Sequence, residues 1–107
     1  MYGVKEETWE SIFNILRQYD QISMAILYGS RAKGTFKSGS DIDLCFKGSS
    51  LKTEILLKIM DKIDDLYLPY EFDLSIYDNI ENVDLKNHID RVGIIVYNSK
   101  KNEHPSI

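Results

Sequence analysis

Apolar residues recur at helical spacing in three stretches of the chain. The predicted helices cover residues 6–19, 51–66 and 83–91. In the second stretch this spacing turns Leu66 toward the core, and Ser49 or Ser50 is a suitable N-cap. Gly93 follows the third stretch and is expected to end that helix.

Four shorter stretches have the apolar content or the alternation that is typical of β-strands. The predicted strands cover residues 22–28, 41–46, 71–77 and 94–97. In "DIDLCF" the alternation puts Asp41, Asp43 and Cys45 on one face, and in "EFDLSIY" it puts Asp73 on the polar face. The segment "GSRAKG" between the first two strands predicts a turn. The order of the strands within the sheet stays open.

The composition is that of one globular domain. The chain has 107 residues, of which 43% are hydrophobic and 28% are charged, so it can build a single core. Residues 1–97 are expected to form this domain, and residues 98–107 lack a pattern and are expected to form a flexible C-terminal tail. The net charge of −4 argues against stable nucleic-acid binding, which usually needs a basic face.

The sequence favours a cytoplasmic location. A single cysteine, Cys45, excludes an internal disulfide and fits a reducing compartment. The N-terminus "MYGVKEETWE" is charged within its first five residues and is unlike a signal peptide. The apolar runs "MAILY" and "IIVY" are too short to span a membrane, so no membrane partner is expected.

The paired aspartates are the first candidates for chemistry. Asp41 and Asp43 are two residues apart on a predicted strand, so their side chains project from one face. If the strand that carries Asp73 is a neighbour, three carboxylates converge. Carboxylate oxygens suit Mg²⁺, and three of them suit two-metal phosphoryl or nucleotidyl transfer.

The segment before the aspartates supplies features of a phosphate site. Gly29 at a strand end lets the backbone approach a phosphate, and Ser30 adds a hydroxyl and nearby backbone N–H groups. Arg31, Lys33 and Lys37 lie within seven residues and could neutralise the rest of a triphosphate. Each of these cations could equally be a solvated turn residue, Lys37 above all.

Together these residues carry a resemblance to a known family. "GSRAKGTFKSGSDID" has the pattern Gly-Ser, ten residues, Asp-x-Asp, and is similar to the nucleotidyltransferase superfamily of DNA polymerase beta. Within it the chain resembles the minimal nucleotidyltransferase (MNT) domain proteins. The resemblance implies an α+β (mixed α/β) nucleotidyltransferase fold, with one mixed sheet of about four strands flanked by helices.

The resemblance also implies an activity and its residues. Family members transfer a nucleoside monophosphate from a Mg²⁺–nucleoside triphosphate to an acceptor, with two ions and most often ATP as the substrate. Carried over, Asp41, Asp43 and Asp73 would ligate the metal and act in catalysis, and Gly29 and Ser30, with Arg31, would bind the triphosphate.

The same resemblance implies a partner. Minimal members often resemble antitoxins paired with all-helical HEPN ribonuclease toxins, and some of them add AMP to a tyrosine of the toxin. Larger members carry a helical domain that this chain lacks after its last predicted strand, so completion of the site is expected from a partner protein or from a second copy. Surplus aromatic residues are candidates for that surface, namely Tyr67, Tyr70 and Tyr77.

Other interpretations stay open from the sequence. The chain could be a binding module that neutralises a helical partner without catalysis, or a transferase acting on a small molecule such as an aminoglycoside. Asp41 and Asp43 could be solvated strand-edge acids, and Glu71 or Asp78 could replace Asp73 as the third carboxylate.

Four further residues receive no functional role from the sequence. Cys45 is interpreted as a small packing residue and Trp9 as core. His88 and His104 lack metal-ligand spacing.

Overall fold

The computed structural model describes residues 1–99, which form a four-stranded sheet packed with helices. The elements are α1 (Glu6–Leu16), β1 (Met24–Tyr28), α2 (Gly29–Lys33), β2 (Ile42–Lys47), α3 (Thr53–Asp64), β3 (Phe72–Ile76), a 3-10 turn (Tyr77–Asn79), α4 (Val83–Val92) and β4 (Ile94–Asn98). The predicted order of helices and strands is confirmed, and the "GSRAKG" turn contains the short helix α2.

The sheet is mixed, as predicted. Its strand order is β3-β2-β1-β4, with β1 antiparallel to both β2 and β4, and β2 parallel to β3. The register sets Tyr28 opposite Asp43, and Asp43 opposite Asp73. The end of β1 therefore lies beside the beginnings of β2 and β3, at one end of the strands.

Two hydrophobic clusters cover the two faces of the sheet. On one face α1 and α3 pack against the inward residues of β1 and β2. This larger cluster includes Trp9, Ile12, Leu16, Leu27, Leu44, Phe46, Ile59 and Ile63. On the other face α4 brings Ile89 against Ile26, Tyr28 and Cys45. Because residues two apart on a strand share a face, Asp43 lies on the α4 side with Cys45.

The expected core roles of Trp9 and Cys45 are confirmed. Trp9 is 1% exposed, and its indole Nε1 donates a hydrogen bond to the Met1 carbonyl oxygen at 3.0 Å. Cys45 is fully buried in the cluster beneath α4. The indole therefore ties the N-terminal segment to the core while its ring fills the space under the sheet.

The start and end of α3 differ from the prediction. The helix begins at Thr53, its N-cap is Lys52, and no side chain caps it, so capping by Ser49 or Ser50 was wrong. The helix ends at Asp64, so Leu66 lies beyond it and is partly exposed, not directed inward.

Gly93 follows the end of α4 as predicted, but it does not act as a left-handed cap. Gly93 has φ −63°, which any residue can adopt, so it is no left-handed cap. A Cβ on Gly93 would instead collide with the carbonyl oxygen of Ile89 and lie 2.7 Å from Cγ2 of Ile26. Glycine is therefore needed where α4 passes closely over β1.

The expected domain of residues 1–97 and the expected tail of residues 98–107 stay predictions. Strand β4 continues to Asn98, and the Ser99 amide donates to the carbonyl of Ser23 at 3.0 Å. Most of the expected C-terminal tail, residues 100–107, lies outside the described residues. Within residues 1–99 no helix is long and apolar enough to cross a membrane.

Candidate active site

Gly29 and Asp43 bring the two parts of the sequence motif into direct contact. Gly29 follows β1 with φ +74°, in the left-handed region that favours glycine. A Cβ built on Gly29 would collide with Oδ2 of Asp43. Only glycine therefore lets the backbone of the turn approach this carboxylate so closely.

Asp73 extends the site onto the next strand. It is the partner of Asp43 in the parallel register of β2 and β3, and neighbouring strands lie about 4.8 Å apart. Asp43 is half-buried, whereas Asp73 and Asp41 are exposed. The condition that the two strands are neighbours is thus met, and Asp43 and Asp73 lie on the same face of the sheet.

The electrostatics of the site concentrate on Asp43. Burial, followed by the charges of Asp73 and Asp41, raises the pKa of Asp43 from 3.8 to about 6, and Arg31 opposes this shift. The carboxylates therefore repel one another more than the nearby cation compensates. A bound cation would relieve that repulsion.

The donor set fits Mg²⁺ chemically, because this ion prefers carboxylate oxygens. Asp43 and Asp73 lie in register, and Asp41 comes two residues before Asp43. However, residues 1–99 contain no group of three His, Cys, Asp or Glu side chains arranged to hold one ion. In this structure Asp43 and Asp73 form a pair and Asp41 comes two residues before Asp43. The three carboxylates are not arranged around one ion.

Arg31 is buried and binds two separate backbone segments. It is 1% exposed, and its guanidinium donates to the Ser40 carbonyl at 2.8 and 3.2 Å and to the Tyr2 carbonyl at 2.9 Å. The rings of Phe36 and Tyr70 lie 5.1 and 5.5 Å from its central carbon. Its surface is covered by protein and these contacts hold the motif loop, while its expected contact with a phosphate stays a prediction.

The other residues of the loop stay accessible. Ser30 is half-buried at the start of α2, and its carbonyl oxygen accepts the Thr35 amide at 3.0 Å. Lys33 and Lys37 are exposed. The loop thus offers a hydroxyl one residue after Gly29 and exposed cations at its rim, which favour an anionic ligand.

The structure adds His88, which received no role from the sequence. Its Nε2 accepts the Gly29 amide hydrogen at 3.2 Å, and its ring meets that of Tyr28 edge-on at 6.2 Å. Burial and the nearby carboxylates Asp73 and Asp43 raise the pKa of Tyr28, so its phenol stays neutral beside the site. A lone histidine on a helix gives no signal in the sequence, since its importance depends on where α4 crosses β1.

Comparison with known proteins agrees with this geometry. The family model "Polymerase beta, Nucleotidyltransferase" matches residues 10–102, and the chain belongs to that family. No curated protein gives a significant match.

Several solved structures share the fold. A structure described as the toxin-antitoxin with AMP-PNP has a TM-score of 0.68 and 18% identity, covering 89% of this chain and 77% of that one. A tri-AMPylated Shewanella oneidensis HEPN toxin in complex with MNT antitoxin has a TM-score of 0.65 and 15% identity, covering 94% and 77%. The toxin-antitoxin MntA-HepT has a TM-score of 0.63 and 15% identity, covering 92% and 77%.

These comparisons confirm the predicted superfamily and fold class. The likeness to minimal nucleotidyltransferase proteins is confirmed at the level of the fold, because identities of 15–18% carry no more than that.

Proposed function

We propose that the chain transfers AMP from ATP to a hydroxyl of a partner protein in a Mg²⁺-dependent reaction, as the antitoxin of a HEPN–MNT pair. The observation that carries the proposal is the contact of Gly29 with Asp43, next to Asp73 in register. Membership of the nucleotidyltransferase family supports the reaction class. The neighbours described as containing AMP-PNP and an AMPylated toxin support ATP and a protein acceptor.

Each motif residue has a defined task in this reaction. Asp41, Asp43 and Asp73 would hold Mg²⁺, which supplies charge neutralisation for the triphosphate and the leaving pyrophosphate. Gly29 lets the turn pass directly beside the Asp43 carboxylate, and Ser30 donates its hydroxyl to a phosphate oxygen.

Asp73, which is exposed, would accept the proton of the acceptor hydroxyl. The acceptor oxygen then bonds to the α-phosphorus, the bond from that phosphorus to the bridging oxygen breaks, and pyrophosphate leaves with its electron pair. Orientation of the substrates and neutralisation of charge contribute most of the rate enhancement, because phosphoryl transfer requires little covalent chemistry from the protein.

The acceptor hydroxyl is proposed to belong to a second protein, which binds the proposed domain of residues 1–97. Of the three surplus tyrosines, Tyr67 is 89% exposed and is free to contact a partner. Tyr70 lies beneath the guanidinium of Arg31, and the Tyr77 ring has the Lys47 and Lys86 ammonium groups within 4.3 and 4.7 Å. Tyr67 is therefore the best candidate of the three for a partner contact.

A non-catalytic binding module is the second candidate. It is favoured by one observation, namely that the described carboxylates do not form a three-ligand cluster. A neutralisation experiment separates the two candidates: Asp73→Asn is co-expressed with a helical partner that co-purifies with the chain.

Catalysis predicts that Asp73→Asn still binds the partner but no longer relieves its toxicity. Full relief by this variant, at wild-type protein levels, would overturn the catalytic proposal and leave neutralisation by complex formation. Tyr67→Ser serves as the opposite control, because it is expected to weaken the complex without touching the carboxylates.

A further inference from the structure

Helix α4 is joined to the motif turn by one hydrogen bond. The Gly29 amide donates to Nε2 of His88 at 3.2 Å, between residues that are 59 positions apart in the sequence. His88 is half-buried, and its ring also contacts Tyr28, the last residue of β1. The imidazole therefore touches both residues that define how β1 turns into α2.

This bond fixes the state of the imidazole and of the amide. Because Nε2 accepts this hydrogen bond, the hydrogen of the ring belongs on Nδ1. The Gly29 amide has a single hydrogen, which points to α4. Contacts between the turn and a phosphate must then come from residues after Gly29, of which Ser30 offers its hydroxyl.

The bond also acts where the backbone has an unusual conformation. Gly29 has φ +74° and lies against the Asp43 carboxylate. Glycine permits this conformation but does not select it, because it populates both signs of φ about equally. A side chain that binds the Gly29 amide selects one of these conformations.

We propose that His88 is a positioning residue for nucleotide binding, which holds the Gly29–Ser30 turn in the conformation that receives a triphosphate. The inference rests on the proposed function, since it concerns the same site. It assigns α4 a part in the reaction that reaches beyond covering the sheet.

Three substitutions of similar size test the role of the acceptor. In His88→Gln, Oε1 lies as many bonds from the backbone as Nε2 does, so the Gly29 amide keeps its acceptor. His88→Asn presents its oxygen one bond too short, and His88→Met keeps the length without an acceptor of comparable strength. Thermal unfolding identifies any variant that fails to fold.

The first measurement is the Gly29 amide signal in ¹H–¹⁵N NMR spectra of the ligand-free proteins. We expect a hydrogen-bonded, exchange-protected signal in the wild type and in His88→Gln, and loss of protection in His88→Asn and His88→Met. The second is the Kd of ATP with Mg²⁺, which we expect to rise about tenfold in the latter two and to be restored in His88→Gln. Transfer assays should show this in KM more than in kcat.

The outcomes separate the inference from the proposed function. If the wild type binds no nucleotide, the proposed function fails and the inference fails with it. If the wild type binds ATP and His88→Met binds it equally well, the inference alone is overturned. Equal loss of affinity in His88→Gln and His88→Met, with Gly29 still protected in the former, would also overturn it, because the acceptor would then be irrelevant.

Discussion

Asp73 lies opposite Asp43 on parallel, neighbouring strands, and burial together with this pairing raises the pKa of Asp43 to about 6. Asp43 and Asp73 lie in register beside Gly29, which lets the backbone approach the Asp43 carboxylate closely. In this site the charge of one carboxylate disfavours ionisation of the other. Such a site gains stability when a cation binds, which connects its electrostatics to the proposed chemistry.

Asp43→Asn is expected to stabilise the metal-free protein at neutral pH. The folded protein binds the Asp43 proton more tightly than the unfolded chain, so this contribution is complete below pH about 3.8 and is lost as the pH rises through about 6. The variant has no carboxylate to ionise at this position, so it does not lose this stability as the pH rises. We expect it to gain roughly 1–2 kcal/mol at pH 7.5, less than the whole shift implies because Asp43 is partly solvated.

The measurement is urea denaturation with a chelator at pH 4.5 and 7.5. Asp61→Asn, an exposed carboxylate on α3, is the matched control and should show no such gain. An Asp43→Asn variant that is less stable than the wild type at pH 7.5 would show that the carboxylate is satisfied without a cation.

Gly29→Ala is expected to damage both stability and transfer. Alanine at positive φ costs about 1–2 kcal/mol, and its Cβ would also displace the Asp43 carboxylate. We expect transfer to fall about a hundredfold, the effect of displacing a reacting group by about 1 Å.

Gly34→Ala provides the matched control for backbone strain. Gly34 also has positive φ, +82°, but a Cβ there meets nothing within 4 Å. It should lose about 1 kcal/mol and keep its transfer activity. Equal activity losses in the two variants would mean that the contact with Asp43 is irrelevant to catalysis.

Arg31→Lys is expected to destabilise the fold by about 2–3 kcal/mol. A lysine cannot reproduce the guanidinium fork that binds the carbonyl oxygens of Ser40 and Tyr2. The same substitution at Arg17, whose exposed side chain pairs with Glu10, should change stability by less than about 0.5 kcal/mol. If Arg31→Lys keeps full stability and raises only the KM for ATP, this result would support the contact of Arg31 with a phosphate that the sequence predicts.

Cys45 is expected to resist thiol reagents in the folded protein. It is fully buried, and burial raises the pKa of its thiol, so little thiolate is present at neutral pH. Reaction with an aromatic disulfide reagent should follow global unfolding in urea. Rapid labelling without denaturant would show that the α4 face opens in the native state.

Periodicity was enough to predict the three longer helices and the four strands, whereas the short helix α2 and the 3-10 turn have no periodic pattern. The motif spacing likewise predicted that Gly29 and Asp43 belong to one site. The side-by-side arrangement of Asp43 and Asp73 depended on the strand order, which no local pattern encodes.

The contacts that the sequence did not predict share a physical origin in long-range packing. The burial of Arg31 could not be read from charge counts, and its partners Tyr2 and Ser40 lie on separate segments. The hydrogen bond of His88 to Gly29 joins elements that are distant in sequence. Both residues contact the motif through tertiary interactions that have no sequence signature.

The most direct measurement is incubation of the purified chain with Mg²⁺ and ATP labelled at the α-phosphate, with and without its co-purifying helical partner. Asp43→Asn is the control, since it should fold and bind the partner without supporting transfer. Label on the partner that is absent in the control would establish AMP transfer by this site. Tight complex formation with no label on any protein would contradict the proposed activity.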